Sequence, residues 1–301
     1  MQHPTQTEPS QHDPLAFSKM SGAGNDFVVI DNRSGRVTDP EDLARRICTR
    51  ALSVGADGLI LVERSSRASF RMRYYNRDGS LGAFCANGTR CAARFAFLNV
   101  MAGRRMTIET DAGIVGAEID DTDVTLSLQA PFGYRASVPL ELEGGVVTGS
   151  FITVGVPHYV LPVESDLWTY DVVRIGVAIR NHPALAPAGA NVNFIAVRDR
   201  HSIDIRTYER GVENETLACG SGIVASAVVS ALSGHVDSPV SLLTRSGIVV
   251  GVSFTLEEGI IGDVRLTGDG RHVYRATVTP ETLGGFDPDF IRHPASRVAV
   301  P

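Results

Sequence analysis

Two kinds of apolar run recur along the chain. Short unbroken runs, Phe27-Val28-Val29-Ile30 and Leu59-Ile60-Leu61-Val62, have the length and branched content of strands buried on both faces. Arg71-Met72-Arg73-Tyr74-Tyr75-Asn76 alternates and predicts a half-buried strand. A polar loop follows at Arg77-Asp78-Gly79-Ser80. After it, a longer stretch from about Gly88 to Leu98 predicts a helix that is apolar nearly all round. The same order returns later: a strand over Ile203 to Tyr208, a loop over Glu209 to Glu215, and a helix from about Ser221 to Leu232. A helix apolar on all sides must be wrapped by other structure. A shorter helix is predicted from Pro40, with Thr38 or Asp39 as its cap.

The recurrence is an internal repeat. Shifted by 134 residues without gaps, Gly55-Ala56 falls on Gly189-Ala190, Tyr74 on Tyr208, Cys85 on Cys219, Gly88 on Gly222 and Gly113-Ile114-Val115 on Gly247-Ile248-Val249. There are 12 identities over the 63 positions from 55 to 117, where chance gives roughly four at about 7% per position. Upstream, Gly22-Ala23-Gly24-Asn25 roughly matches Gly155-Val156-Pro157-His158. The fold class expected is α+β: two pseudo-symmetric domains from a duplication, each a mixed, mostly antiparallel sheet around a central helix. The expected domains are 15–131, completed by a strand near 275–285, and 132–274, with flexible tails at 1–14 and 286–301.

Composition removes several kinds of function. The 301 residues carry 28 basic and 34 acidic side chains, a net charge of −6, which argues against a nucleic-acid or anionic-membrane partner. The longest apolar run, Ile223 to Leu232, is about half a membrane span. The first residues lack the apolar stretch of a secretory leader, so a cytoplasmic protein is expected. Lys19 is the only lysine, so imine chemistry of the pyridoxal phosphate kind would have to use it. There is no Gly-Lys-Ser/Thr phosphate loop and no Gly-x-Gly-x-x-Gly. No cofactor and no metal are expected.

The four cysteines divide into two pairs. Cys48 and Cys91 sit in apolar helical patterns and read as core. Cys85 and Cys219 precede the two repeated helices, in Cys85-Ala86-Asn87-Gly88 and Cys219-Gly220-Ser221-Gly222. The first amides of a helix lack internal acceptors, and the dipole is positive there. A thiol so placed is pushed toward thiolate; a fall from ~8.5 to ~7 is worth about 2 kcal/mol. The neighbouring small residues let a carboxylate reach the free N–H groups. If the two domains face one another about a pseudo-twofold axis, the thiols flank one carbon bonded to that carboxylate. Inverting such a carbon needs a base on one face and an acid on the other, and two equivalent thiols supply both.

These motifs resemble the diaminopimelate epimerase family. The resemblance runs from about Phe17 to Tyr274. It is carried by Lys19-Met20-Ser21-Gly22-Ala23-Gly24-Asn25-Asp26-Phe27, Tyr75-Asn76-Arg77-Asp78-Gly79-Ser80 and the two cysteine blocks, together with Asn191-Val192-Asn193-Phe194 and Tyr208-Glu209-Arg210-Gly211. It implies a cofactor-independent epimerase of lysine and peptidoglycan precursor synthesis, acting on LL-2,6-diaminopimelate, and a homodimer. Cys85 and Cys219 are then the acid/base thiols. Ala86, Asn87, Gly220 and Ser221 cradle the reacting carboxylate. Asn25, Asn76, Val156, Asn191, Glu209 and Arg210 line the rest of the substrate site, Arg210 offering a fork of donors to a distal carboxylate. His158 is an accessory residue that orients substrate or tunes a thiol, with Glu209.

The chain departs from the family pattern in four places. Val156 stands where an Asn is usual, Ala86 where a Gly is, and Ser21 where a His is; the loop Gly211 to Glu215 is one residue longer. These positions concern substrate choice, so a racemase of another amino acid is the alternative. A non-catalytic amino-acid-binding protein on the same fold is the reading from a different class.

Overall fold

A computed structural model describes residues 14–82 and 84–292. It contains two units. One comprises the chain up to Ser21, Asp26–Ile114 and the chain from Arg271; the other comprises Gly22–Asn25 and Val115–Gly270. The expected N-terminal tail lies outside the described residues except for its last position.

In chain order the first unit is built from β1 (Ala16–Gly22), β2 (Asn25–Asp31), α1 (Pro40–Ile47), β3 (Gly58–Glu63), β4 (Phe70–Asn76), β5 (Leu81–Gly82), α2 (Ala86–Leu98) and β6 (Arg105–Thr110). The second follows with β7 (Gly113–Asp120), β8 (Asp123–Ser127), β9 (Phe132–Leu142), β10 (Gly145–Val154), β11 (Val156–Pro162), α3 (Val172–Arg180), β12 (Asn191–Asp199), β13 (Ser202–Glu209) and β14 (Asn214–Thr216). It continues through α4 (Gly220–Leu232), β15 (Val240–Leu243), β16 (Val249–Glu257) and β17 (Ile260–Asp269). The chain then returns to the first unit with β18 (Arg271–Thr277), antiparallel to β1, and two short helices, α5 (Pro280–Leu283) and α6 (Pro288–Arg292). The repeat pattern put the division between domains at 131/132. The units instead part within β7, because β8 lies antiparallel to β17 of the second unit.

The two units repeat one topology. β2 runs parallel to β3 across α1, β3 antiparallel to β4, and β4 parallel to β6 across α2. In the second unit β11 is parallel to β12 across α3, β12 antiparallel to β13, and β13 parallel to β15 across α4. The outer helices are amphipathic and capped alike, Asp39 accepting from the Asp42 N–H and Asp171 from the Arg174 N–H. The inner helices α2 and α4 are 13 residues each and largely buried, as an all-round apolar sequence demands. In α4 tertiary burial overrides the weak helix preference of Ile223-Val224 and Val228-Val229.

Register corrects the ungapped repeat. Leu59 lies opposite Tyr75 and Val192 opposite Tyr208, an offset of 133. From β5 and β14 onward the offset is 134, with Tyr75 facing Leu81 and Tyr208 facing Glu215. The turn into β14 thus holds one residue more than the turn into β5. The structural counterpart of Tyr208 is Tyr75, not Tyr74, and both are buried under the outer helix of their unit.

Strands that are buried on both faces position the candidate residues. On one face of the first unit Val28, Ile30, Leu59 and Leu61 pack against Leu43 and Ile47 of α1. In the second unit Tyr159, Leu161, Val192 and Phe194 pack with Val172 and Ile179 of α3. Side chains alternate along a strand, so Phe27 and Ile60, or His158 and Asn193, turn the other way.

Lys19 is committed to structure. Its Nζ pairs with Asp26 at 2.7 Å and donates to the Gly55 carbonyl, while Arg50 spans Asp26 and Asp57 at 2.6 and 2.9 Å. Burial pushes the Asp26 carboxyl up, but hydrogen bonds and charge from Arg50 and Lys19 outweigh it and hold the group below its ordinary 3.8. A carboxyl with a depressed folded-state pKa stabilises the fold above its unfolded pKa and loses that contribution as pH falls through the folded value. Denaturation midpoints should therefore fall progressively as the pH is lowered below about 5, and the Asp26→Asn variant should flatten that limb.

Candidate active site

Each repeat places a cysteine at the N-cap of its inner helix. Cys85 is the N-cap of α2 in an extended conformation, and its Sγ accepts from the Gly88 N–H at 3.4 Å. Its carbonyl takes both the N–H and the Oγ1 of Thr89, each at 2.8 Å, which fixes the first turn. Ala86 and Asn87 follow, both buried. Cys219 is the N-cap of α4, 7% exposed, with its Sγ 3.5 Å from Ser221 Oγ. Neither helix carries an acidic side chain in its first turn, and the positive end of each dipole favours the thiolate. Cys48 and Cys91 are buried away in the core, 2% and 0% exposed.

The other candidate residues of the second unit gather on neighbouring strands. Asn191 opens β12, and its Oδ1 accepts from the Arg210 N–H at 2.7 Å. That bond ties the end of β13, with Glu209 as its last residue, to the start of β12. Arg210 also sends Nη1 to the Ala188 carbonyl at 3.3 Å. The longer turn after it is pinned by Glu213, whose carboxylate meets Arg180 at 3.2 Å and the Gly211 N–H at 3.1 Å. Val156 is the first residue of β11 and half-buried; His158, two residues on, is fully buried. Burial, and then the charge of Arg210, pull the His158 pKa down to about 3. The ring is therefore neutral at any physiological pH and acts as a hydrogen-bonding group, not a cation.

Asn25 begins β2 and is half-buried; the turn before it is held by the Ala23 N–H on Asp269 Oδ1 at 2.7 Å. A Cβ on Gly24, at φ +95°, would lie 2.9 Å from Ser246 Cβ. Asn76 ends β4 in the first unit. Its Oδ1 accepts from Tyr74 Oη at 2.8 Å and its Nδ2 donates to Ser80 Oγ at 3.0 Å, so the side chain braces its own turn.

Two groups were not singled out in the sequence. Asn193 donates to His158 Nδ1 at 3.1 Å and accepts from Thr207 Oγ1 at 3.1 Å. The signal for it was present: Asn191 and Asn193, two apart, put two amides on one face of a strand that is apolar from Phe194 to Val197. Arg206 forms a two-bond pair with Glu215, at 2.7 and 2.8 Å, four residues before Cys219; a lone Arg in a strand gives no such hint. Among the described residues no cluster of three or more His, Cys, Asp and Glu could hold a metal ion, and no helix is long and apolar enough to cross a membrane.

Comparison with solved structures defines the class of fold. A phenazine biosynthesis protein of the PhzF family from Bacillus anthracis superposes with a TM-score of 0.69 at 15% identity, over 89% of this chain and 99% of that one. A hydroxyproline epimerase from Agrobacterium vitis, solved with trans-4-hydroxy-L-proline, gives 0.66 at 18% identity, over 89% and 93%. Sequence then narrows the class. The family model for diaminopimelate epimerase matches residues 17–130 and 150–258. A diaminopimelate epimerase from Aquifex aeolicus is 40% identical over 281 residues, covering 89% of this chain and 99% of the relative. Another from Chlorobaculum tepidum is 41% identical over 264 residues, covering 86% and 100%. The chain belongs to the diaminopimelate epimerase family, and so to the isomerases.

Proposed function

We propose that this chain interconverts LL-2,6-diaminopimelate and its meso form by a two-thiol acid/base mechanism, within lysine and peptidoglycan precursor synthesis. The observation that carries the reading is a cysteine at the same N-cap in both repeats of a chain from this family. The thiolate of one cysteine removes the α-proton. The electron pair left behind spreads into the adjacent carboxylate, whose charge is held by N–H groups at Ala86, Asn87, Gly220 and Ser221. The thiol of the other cysteine gives its proton to the opposite face. The α-carbon is inverted, and the two sulfurs have exchanged protonation states. Asn25, Asn76, Val156, Asn191, Glu209 and Arg210 surround the remainder of the substrate, Arg210 facing its distal carboxylate. Cytoplasmic residence and a homodimer belong to the same reading.

Incubation of LL-diaminopimelate with the chain in heavy water tests it. The expected result is α-deuterium incorporation together with the meso isomer. Val156 and the lengthened turn after Arg210 favour a second reading, a racemase of another amino acid. Deuteration of a different amino acid, with diaminopimelate inert, would establish that reading in place of the first.

A further inference from the structure

The two repeats differ beneath their thiol helices. In the first unit a Cβ on Gly88 would lie 3.1 Å from Ile60 Cδ1 and 3.5 Å from Phe27 Cε1, so the helix start rests on two apolar side chains. Register identifies their counterparts in the second unit. Phe27 lies beside Gly58 as His158 lies beside Asn191, and Ile60 lies opposite Tyr74 as Asn193 lies opposite Thr207. Both counterparts are polar, both are fully buried, and they are bonded to one another at 3.1 Å. A Cβ on Gly222 would come 2.2 Å from Asn193 Oδ1, so only a glycine in the first turn of α4 leaves room for this amide.

Two constraints orient the Asn193 amide. The N-terminal end of α4 is positive and favours the carbonyl oxygen on its side. Thr207 Oγ1 donates to that same oxygen at 3.1 Å. Nδ2 is left to face His158 as a donor, so Nδ1 of the ring must accept. The ring is neutral, with Arg210 the charged group acting on it, and its one proton then sits on Nε2. That atom is buried and has no hydrogen-bond partner among the described residues. A buried donor needs an acceptor, which an ordered water or a ligand can bring.

We propose that Asn193 is a positioning residue, which locks His158 as the Nε2–H tautomer and makes it a neutral donor, in the repeat of Cys219, for an acceptor carried by the substrate. The first repeat has the apolar Phe27 and Ile60 at the matching positions, so the two thiol helices start on chemically different side chains. The proposal rests on the epimerase reading for its role in catalysis, but the tautomer does not.

The test is nitrogen-15 NMR of the histidine rings in the purified chain, with His158 assigned by its loss in His158→Phe. The expected wild-type spectrum has the proton on Nε2 and an unprotonated Nδ1 across neutral pH. In Asn193→Asp the carboxylate replaces the amide donor with an acceptor, and the proton is expected to move to Nδ1. Loss of the donor should lower kcat for α-deuteration by about 10²-fold, with KM little changed. A wild-type His158 protonated on Nδ1, or Asn193→Asp with the wild-type tautomer, overturns the proposal. The wild-type spectrum decides the tautomer whether or not the variant folds. It also needs no substrate, so an enzyme inert toward LL-diaminopimelate would remove the functional reading and leave the tautomer standing.

Discussion

Replacing Cys85 or Cys219 by Ala should each cripple isomer interconversion, lowering its rate by roughly 10²–10⁴-fold, the range for a lost general acid or base. The two variants should also fail differently. With one thiol gone, the other still reaches the α-proton from its own face and returns a solvent deuteron to that face. Exchange without inversion then survives, weakly, and only for the isomer whose proton faces the remaining sulfur. Cys85→Ala and Cys219→Ala should therefore exchange opposite isomers. Chiral separation of the deuterated products measures this directly. Folding should be preserved, since each sulfur is a single small group at a helix start: the Cys85 carbonyl still accepts from Thr89, and the Cys219 carbonyl from the Ile223 N–H at 2.9 Å. If both variants interconvert isomers at the wild-type rate, the thiols are not the acid and base, and the binding-protein reading gains. If both exchange the same isomer, a group other than these two thiols removes its proton.

Much of this architecture is legible in the sequence, because the features that mark it are local. Runs such as Leu59 to Val62 announce buried strands, and helices apolar on every side announce a wrapped element; α2 and α4 begin within two residues of where the pattern puts them. The N-cap role of the two cysteines follows from their place just before those helices. Register is not local. The single extra residue between β13 and β14 slips the upstream strands by one, and an ungapped comparison still gains accidental matches such as Tyr74 on Tyr208. Only the pairing of strands shows that Arg73 and Tyr75 are the counterparts of Arg206 and Tyr208. Asn193 escaped for a related reason. Two amides alternating with apolar residues suggest a strand with one wet face, whereas β12 has α3 on one side and α4 on the other.

Arg206→Met should be the most destabilising single change outside the thiol helices. Arg206 is 8% exposed, and its guanidinium makes four close bonds: two to the Glu215 carboxylate, at 2.7 and 2.8 Å, and two from Nη1 to the Leu167 and Tyr170 carbonyls, both at 2.8 Å. Removing one partner of a buried pair leaves an uncompensated charge and costs about 3–5 kcal/mol. Arg245, at 3.6 Å from Glu215 and half exposed, is too distant and too solvated to replace it. The loss should lower the midpoint of thermal unfolding by roughly 10 °C, at about 2–4 °C per kcal/mol for a unit of this size. Lys at the same position should recover little, because a single ammonium cannot reproduce the planar fork. Arg206→Met combined with Glu215→Met should recover most of the stability, since the second change removes the stranded charge. The first repeat supplies an internal control: Arg73 stacks over the Tyr75 ring at 5.2 Å, and Leu81 stands where Glu215 stands in the second. Arg73→Met should accordingly cost far less. Because β14 leads within three residues to Cys219, the Arg206→Met variant should also lose epimerisation at temperatures where it remains folded. Full activity in a destabilised but folded variant would separate the ion pair from the placement of the thiol.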